Sequence, residues 1–239
     1  MLLQIRSYFI NFVIGKKALS APLLNDSHHP PNPTKTDIKI QQALKSLTAS
    51  LQGLLTLYKM EDKVIVDGLT FVPYLTRDEI QTQVKRVASE LRRDLEGKNP
   101  IFLCVLNGAF IFAADLIRET GLNNASISFV RYKSYQGLTS SGQVKQLIGL
   151  SESLDGRDVV IIEDIVDTGL TAVQMISDLK KLNPRSIRFV TLLHKPESSK
   201  TGFKPDYVAF TVPPRFIIGY GLDLDGKVRN LKDIYTVQE

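Results

Sequence analysis

The sequence predicts an α/β fold, a mostly parallel sheet covered by helices on both faces with a small hood beside it. Two observations carry this. Apolar runs bounded by turn signals, Ile101–Leu106 and Val159–Ile162, read as strands buried on both faces. Stretches of helical spacing stand between the strand-like runs, which is the order that builds a parallel sheet.

The elements follow in order. Thr76 and Glu79 form a capping box before Ile80, Val84, Val87, Ala88 and Leu91, which recur at helical spacing. Gly97 and Pro100 stop that helix. Ile101–Leu106 is a strand, followed by Asn107-Gly108 and a helix to about Thr120, closed by Gly121. Ser126–Tyr132 alternates as a strand, and the small, polar residues 134–143 read as a mobile loop. Asp158–Ile162 is a strand, 168–182 a helix stopped by Asn183-Pro184, and Ser186–Leu193 another strand. Tyr207–Thr211, Phe216–Ile218 and Ile234–Val237 are short strands, expected in the hood.

The chain has 239 residues and a formal charge of +5. In residues 1–59, Arg6, Lys16, Lys17, Lys35, Lys39, Lys45 and Lys59 face only Asp26 and Asp37, so the whole excess lies there. Residues 60–239 are balanced, which argues against a nucleic-acid-binding body. The domain reading is a basic, Pro-containing extension over 1–59 and a globular domain over 60–239. The extension is disordered, transit-like or an over-extended start with Met60 as initiator; these alternatives stay open. The uncharged stretch Ser7–Gly15 is too short to span a bilayer. One cysteine, Cys104, excludes an internal disulfide framework and reads as a buried hydrophobe, so a cytoplasmic setting is expected.

The chemistry concentrates in Val159-Val-Ile-Ile-Glu-Asp-Ile-Val-Asp-Thr-Gly-Leu-Thr171. Open parallel sheets bind ligands beyond the carboxyl ends of their strands, where Glu163 and Asp164 are expected. Asp167, Thr168, Gly169, Leu170 and Thr171 then turn the chain into a helix whose first amides can cradle a phosphate. Acids beside an anion cradle fit a ligand that also brings hydroxyls and a hard cation such as Mg²⁺. The segment is neither a Walker A loop nor Gly-x-Gly-x-x-Gly.

This segment resembles the phosphoribosyl-pyrophosphate (PRPP) motif of the phosphoribosyltransferases, in the form found in those acting on hypoxanthine and guanine. The resemblance runs over residues 64–239 and implies the type I phosphoribosyltransferase fold. It implies that Glu163 and Asp164 bind the PRPP ribose and, with Asp223, the metal. It implies a 5′-phosphate site over Asp167–Thr171. Leu106-Asn107-Gly108 resembles the pyrophosphate loop, where the family often has a non-proline cis peptide and frequently Lys in place of Asn107. Arg229 resembles the pyrophosphate-binding arginine, and Ser134-Tyr135 the start of the lid over the reacting centre. Lys195, Phe216, Ile217 and Asp223 resemble the purine-binding set: Lys195 bonds the 6-oxo group, Phe216 stacks on the base, and the Ile217 backbone bonds its edge. Asp167 is implied as the general base near purine N7.

The implied activity is Mg²⁺-dependent transfer of the phosphoribosyl group from PRPP to a 6-oxopurine, giving IMP or GMP and pyrophosphate. The implied partners are PRPP and the base, with no nucleic acid and no membrane, in a homodimer or homotetramer. The alternative is a regulatory protein on the same fold that binds PRPP or nucleotides and nucleic acid.

Overall fold

The computed structural model describes residues 63–133, 145–148, 150 and 152–238, with helical positions 42, 45, 46 and 48. The chain divides into two compact units, Met1–Gly53 and Leu54–Glu239. All elements named below belong to the second. The expectations for the lid (Ser134, Tyr135) and for most of residues 1–59 lie outside the described residues.

Strands β1 (Val64–Val66) and β2 (Leu69–Leu75) lead into helix α1 (Arg77–Leu95). The capping box is present: Thr76 Oγ1 accepts from Glu79 N–H, and Thr76 N–H donates to Glu79 Oε2 at 2.8 Å. Ile80, Val84, Val87, Ala88 and Leu91 are buried, so one stripe faces the core. Then come β3 (Ile101–Val105), α2 (Phe110–Thr120), β4 (Ser126–Lys133), β5 (Lys145–Ile148), β6 (Asp158–Val166), α3 (Leu170–Lys180) and β7 (Ser186–His194). A short 3₁₀ turn, β8 (Tyr207–Thr211), β9 (Ile217–Ile218) and β10 (Ile234–Val237) complete the described order.

The main sheet runs β5-β4-β3-β6-β7-β8. Five strands are parallel and β5 pairs antiparallel at the edge. Both faces are covered, which explains the continuous apolar runs. Phe102, Cys104, Val160 and Ile162 pack with α1 and α2 on one face. Ile101, Leu103, Val159 and Ile161 pack with α3 on the other. Cys104 is buried, and burial first, then Glu163 and Asp164, push its thiol up to about 12. Gly121 ends α2 in the left-handed conformation (φ 62°) that a glycine adopts without steric cost.

The hood is a separate antiparallel sheet, β1-β2-β10-β9. One expectation is corrected: Tyr207–Thr211 belongs to the main sheet, parallel to β7, and not to the hood. Its short apolar run, Tyr-Val-Ala-Phe-Thr, marks a strand without saying which sheet edge receives it. A second difference is length. β6 continues to Val166 beside β7, so Glu163 and Asp164 lie within the strand. On the β3 side, pairing stops at Cys104 and Ile162. That opens the edge on which the two acids stand. Among the described residues, no helix is long and apolar enough to cross a membrane.

Candidate active site

The site lies at the carboxyl edge of the parallel sheet, where β3, β6 and β7 end in turns. The turn after β6 places Asp167 exposed and Gly169 buried. Gly169 sits at φ 79° and starts α3 without a side-chain cap. A Cβ there would strike Thr201 Oγ1, so the turn needs glycine for both conformation and space. Gly169 at the N-cap offers no side chain to the first amides of α3, of which Leu170 N–H reaches Thr168 Oγ1, and a helix start of this kind is suited to receiving anions. Thr168 Oγ1 lies 3.5 Å from Leu170 N, and Thr168 O accepts from Lys200 N–H at 2.9 Å.

Lys195 follows β7. Its backbone N–H donates to Val166 O at 2.9 Å, which fixes it beside the β6 turn. Its ammonium lies 3.4 Å from Asp167 Oδ2. Lys195 is buried, so this anion offsets the cost of desolvating its charge.

Glu163 and Asp164 are partly buried. Glu163 Oε2 is sealed from solvent without a hydrogen-bond partner. Burial holds the Glu163 carboxyl well above the usual carboxylate range, and the neighbouring Asp164 charge adds to this. Asp164 is raised to about 6, chiefly by burial, against the N–H of Ile165 and the charge of Arg229. Ile165 N–H donates to its Oδ1 at 2.9 Å.

The loop after β3 packs on Asp164. The Leu106–Asn107 peptide is cis. Gly108 has no room for a side chain: a Cβ would strike the Asp164 carboxylate. Gly221 rests on Gly108 in turn, since a Cβ there would strike Gly108 O. Arg229 Nη1 donates to Gly221 O at 2.6 Å, and its Nη2 pairs with Asp223 Oδ1 at 2.7 Å. Asp223 Oδ2 accepts from Gly226 N–H at 2.7 Å. Leu106, Asn107 and Arg229 share a cavity of about 580 Å³ with Phe110, Phe129 and Gly226. In the hood, Phe216 is half-exposed, with its ring 6.2 Å from that of Phe71. Its carbonyl accepts from Thr236 Oγ1 at 3.1 Å, and Ile217 is buried in β9.

The fold thus joins Lys195 with Asp167, Asp223 with Arg229, and Gly108 with Asp164. It does not gather Glu163, Asp164 and Asp223 into one ligand group: among the described residues there is no cluster of three or more metal-ligating side chains. Asp223 is instead engaged by Arg229 and Gly226. Several neighbours of the site escaped sequence reasoning. Thr201 faces Gly169, and His194 is buried beside Lys195 with Nε2 unpartnered and its pKa lowered by burial. Only Gly219-Tyr220-Gly221, with its paired glycines, carried a visible signal.

This fold and site define a phosphoribosyl transferase: the phosphoribosyl transferase domain family matches residues 75–225, and the chain belongs to that family. Its relatives place it among the hypoxanthine-guanine phosphoribosyltransferases. The hypoxanthine-guanine phosphoribosyltransferase of Streptococcus thermophilus is 39% identical over 165 residues, 69% of this chain and 91% of that protein. The hypoxanthine-guanine-xanthine phosphoribosyltransferase of Tritrichomonas foetus is 36% identical over 181 residues, 75% of this chain and 98% of that protein. A crystal structure of a hypoxanthine-guanine phosphoribosyltransferase from Bacillus anthracis superposes with a TM-score of 0.66 at 38% identity, covering 70% of this chain and 98% of that one. These matches favour the enzyme over the regulatory alternative.

Proposed function

We propose that this protein transfers the 5-phosphoribosyl group of PRPP to hypoxanthine or guanine, releasing pyrophosphate. The observation that carries the reading is the junction at the end of β6. Two sequestered acids, an uncapped helix start and the Lys195–Asp167 pair converge there. The bond between ribose C1 and the pyrophosphate oxygen breaks, and a bond from C1 to a purine nitrogen forms. The departing purine proton passes to Asp167. The work of the protein is positioning, which contributes about 7–11 kcal/mol in well-oriented cases.

The groups divide the binding work in this reading. The α3 amides, with Thr168 and Thr171, hold the 5′-phosphate, and Gly169 and Leu170 form the backbone of that cradle. Glu163 and Asp164 accept from the ribose hydroxyls. Lys195 donates to the purine 6-oxo group, Phe216 stacks on the base, and the Ile217 backbone bonds its edge beside Asp223. Leu106, Asn107, Gly108 and Arg229 receive pyrophosphate, and Ser134-Tyr135 close over it.

The acids suit Mg²⁺. Glu163 has a sealed, unpartnered oxygen, and Mg²⁺ needs only one or two carboxylates when a substrate's phosphates supply the rest. Glu163 and Asp164 would hold it, with Asp223 beside them, and it would stabilise charge on the leaving group. The domain doing this is residues 60–239, in a cytoplasmic setting. Self-association as a homodimer or homotetramer fits the half-exposed Phe110, Ile127 and Phe129.

The test is a base panel. The full chain with PRPP and Mg²⁺ is given hypoxanthine, guanine, xanthine, adenine or uracil, and pyrophosphate release is read. Release with hypoxanthine and guanine is the expected result, and silence with every base overturns the reading.

A further inference from the structure

Tyr220 is buried, and its backbone is left-handed (φ 48°) between two glycines at positive φ. That conformation is unfavourable for a residue bearing a side chain and persists only where its surroundings hold it. The holding contact is explicit. The Tyr220 hydroxyl donates to Asp115 Oδ2 at 2.6 Å, and Gln81 Nε2 donates to the same oxygen at 2.7 Å. Arg118 pairs with the other Asp115 oxygen. One carboxylate on α2 thus ties together α1, α2 and the loop that contains Tyr220.

The next residue in that loop is Gly221, which rests on the Gly108 carbonyl. Gly221 N–H donates to Arg229 O at 3.0 Å, and Arg229 Nη1 returns a bond to Gly221 O at 2.6 Å. Gly108 is packed against the Asp164 carboxylate. A stack therefore runs from Gly221 through Gly108 to Asp164, with Arg229 fastened to its top layer. A shift of Gly221 moves Gly108 and Arg229 together. The Tyr220 hydroxyl itself bonds α1 and α2 and none of the site residues.

We propose that Tyr220, held by Asp115 and Gln81, is a positioning residue that sets the height of the Gly221 loop over Gly108, and with it the pyrophosphate side of the site. The inference rests on the PRPP reading above. It assigns the tether chiefly to PRPP and pyrophosphate, because Gly221 and Arg229 stand over Gly108 while the Lys195–Asp167 pair lies at the ends of β6 and β7, outside the stack; Asp223, paired with Arg229, is the purine-side residue it touches.

Tyr220→Phe keeps the ring and removes the bond. With a hydrogen bond to a charged acceptor lost, KM for PRPP is expected to rise about tenfold, while KM for hypoxanthine and kcat stay within about twofold. Asp115→Asn retains an acceptor and should lie closer to the wild type than Asp115→Ala. Hydrogen exchange of the full chain gives a readout independent of activity. In Tyr220→Phe, amides of 106–109 and 219–231 should exchange faster while β7 stays protected. An unchanged KM for PRPP overturns the assignment, as does a parallel rise in both KM values with faster exchange throughout. If the wild type turns over no base, the functional reading fails by itself. Exchange then decides: local acceleration upholds the tether and its absence removes it.

Discussion

The Lys195 ammonium and the Asp167 carboxylate meet at 3.4 Å with opposite exposure: the lysine side chain is 10% exposed and the aspartate 49%. The cation is the committed partner, buried at the end of β7, and the anion is the one free to turn. Under the proposed function, a purine would offer its 6-oxo group to the lysine and an N–H to the aspartate. In the proposed reading the pair holds both complementary groups before the base binds, which lowers the ordering cost of binding.

Asp167→Asn keeps the shape of the turn and removes the proton acceptor. The expected result is a fall in kcat of about 10²–10⁴-fold, with a much smaller change in KM for PRPP. Steady-state kinetics with hypoxanthine checks this. An unchanged kcat takes Asp167 out of the chemistry.

Adenine is expected to be a poor substrate. Lys195 has three donors and no acceptor, and the adenine 6-amino group is also a donor, so the buried ammonium would meet a donor where the 6-oxopurine offers an acceptor. A site built around such a bond rejects the wrong partner by about 10⁴-fold in kcat/KM. Lys195→Met should narrow the gap by depressing hypoxanthine turnover. Comparable kcat/KM for adenine and hypoxanthine in the wild type would refute the assignment.

Gly108→Ala brings a Cβ into the Asp164 carboxylate, under a loop already pressed by Gly221. Overpacking of this kind costs about 1–3 kcal/mol. Denaturant unfolding should register that loss, and KM for PRPP should rise because Asp164 is displaced. A variant with native stability and native KM would show that the loop yields freely.

How legible the protein was depends on the range of the contacts. Ile101–Val105 and Asp158–Ile162 were readable because burial on both faces writes an unbroken apolar run. Glu163, Asp164, Asp167 and Gly169 were readable because one strand and one turn carry them contiguously. β2 was hidden by Pro73, which cannot donate to a ladder and sits where the β10 register shifts. β5, four residues long, has too short a pattern to stand out. β8 was legible as a strand but not as a member of the main sheet, because propensity does not say which edge accepts it. The Tyr220–Asp115–Gln81 contact was invisible: its members lie far apart in sequence, and no motif links α1, α2 and the hood loop.

Stability should depend on acid through Asp158, at the opposite end of β6 from the site. Its side chain is 4% exposed. Arg185 pairs with Oδ2, Ser186 Oγ donates to Oδ1 at 2.6 Å, and Arg188 Nη1 lies 4.0 Å away. The Arg185 bond chiefly holds the carboxyl below its usual range, against the opposing effect of burial. A depressed pKa favours the folded state wherever the unfolded carboxyl is ionised. The contribution is therefore complete above the unfolded value of about 3.9 and is lost as pH falls through the lower folded value. Because Arg185 is largely solvated, much of the benefit comes from satisfying the buried carboxylate. Asp158→Ala should cost about 1–3 kcal/mol at pH 7. Urea unfolding at pH 7 and at progressively lower pH should show the gap between variant and wild type closing in the acid range. A gap that stays constant with pH would trace the loss to packing instead of charge.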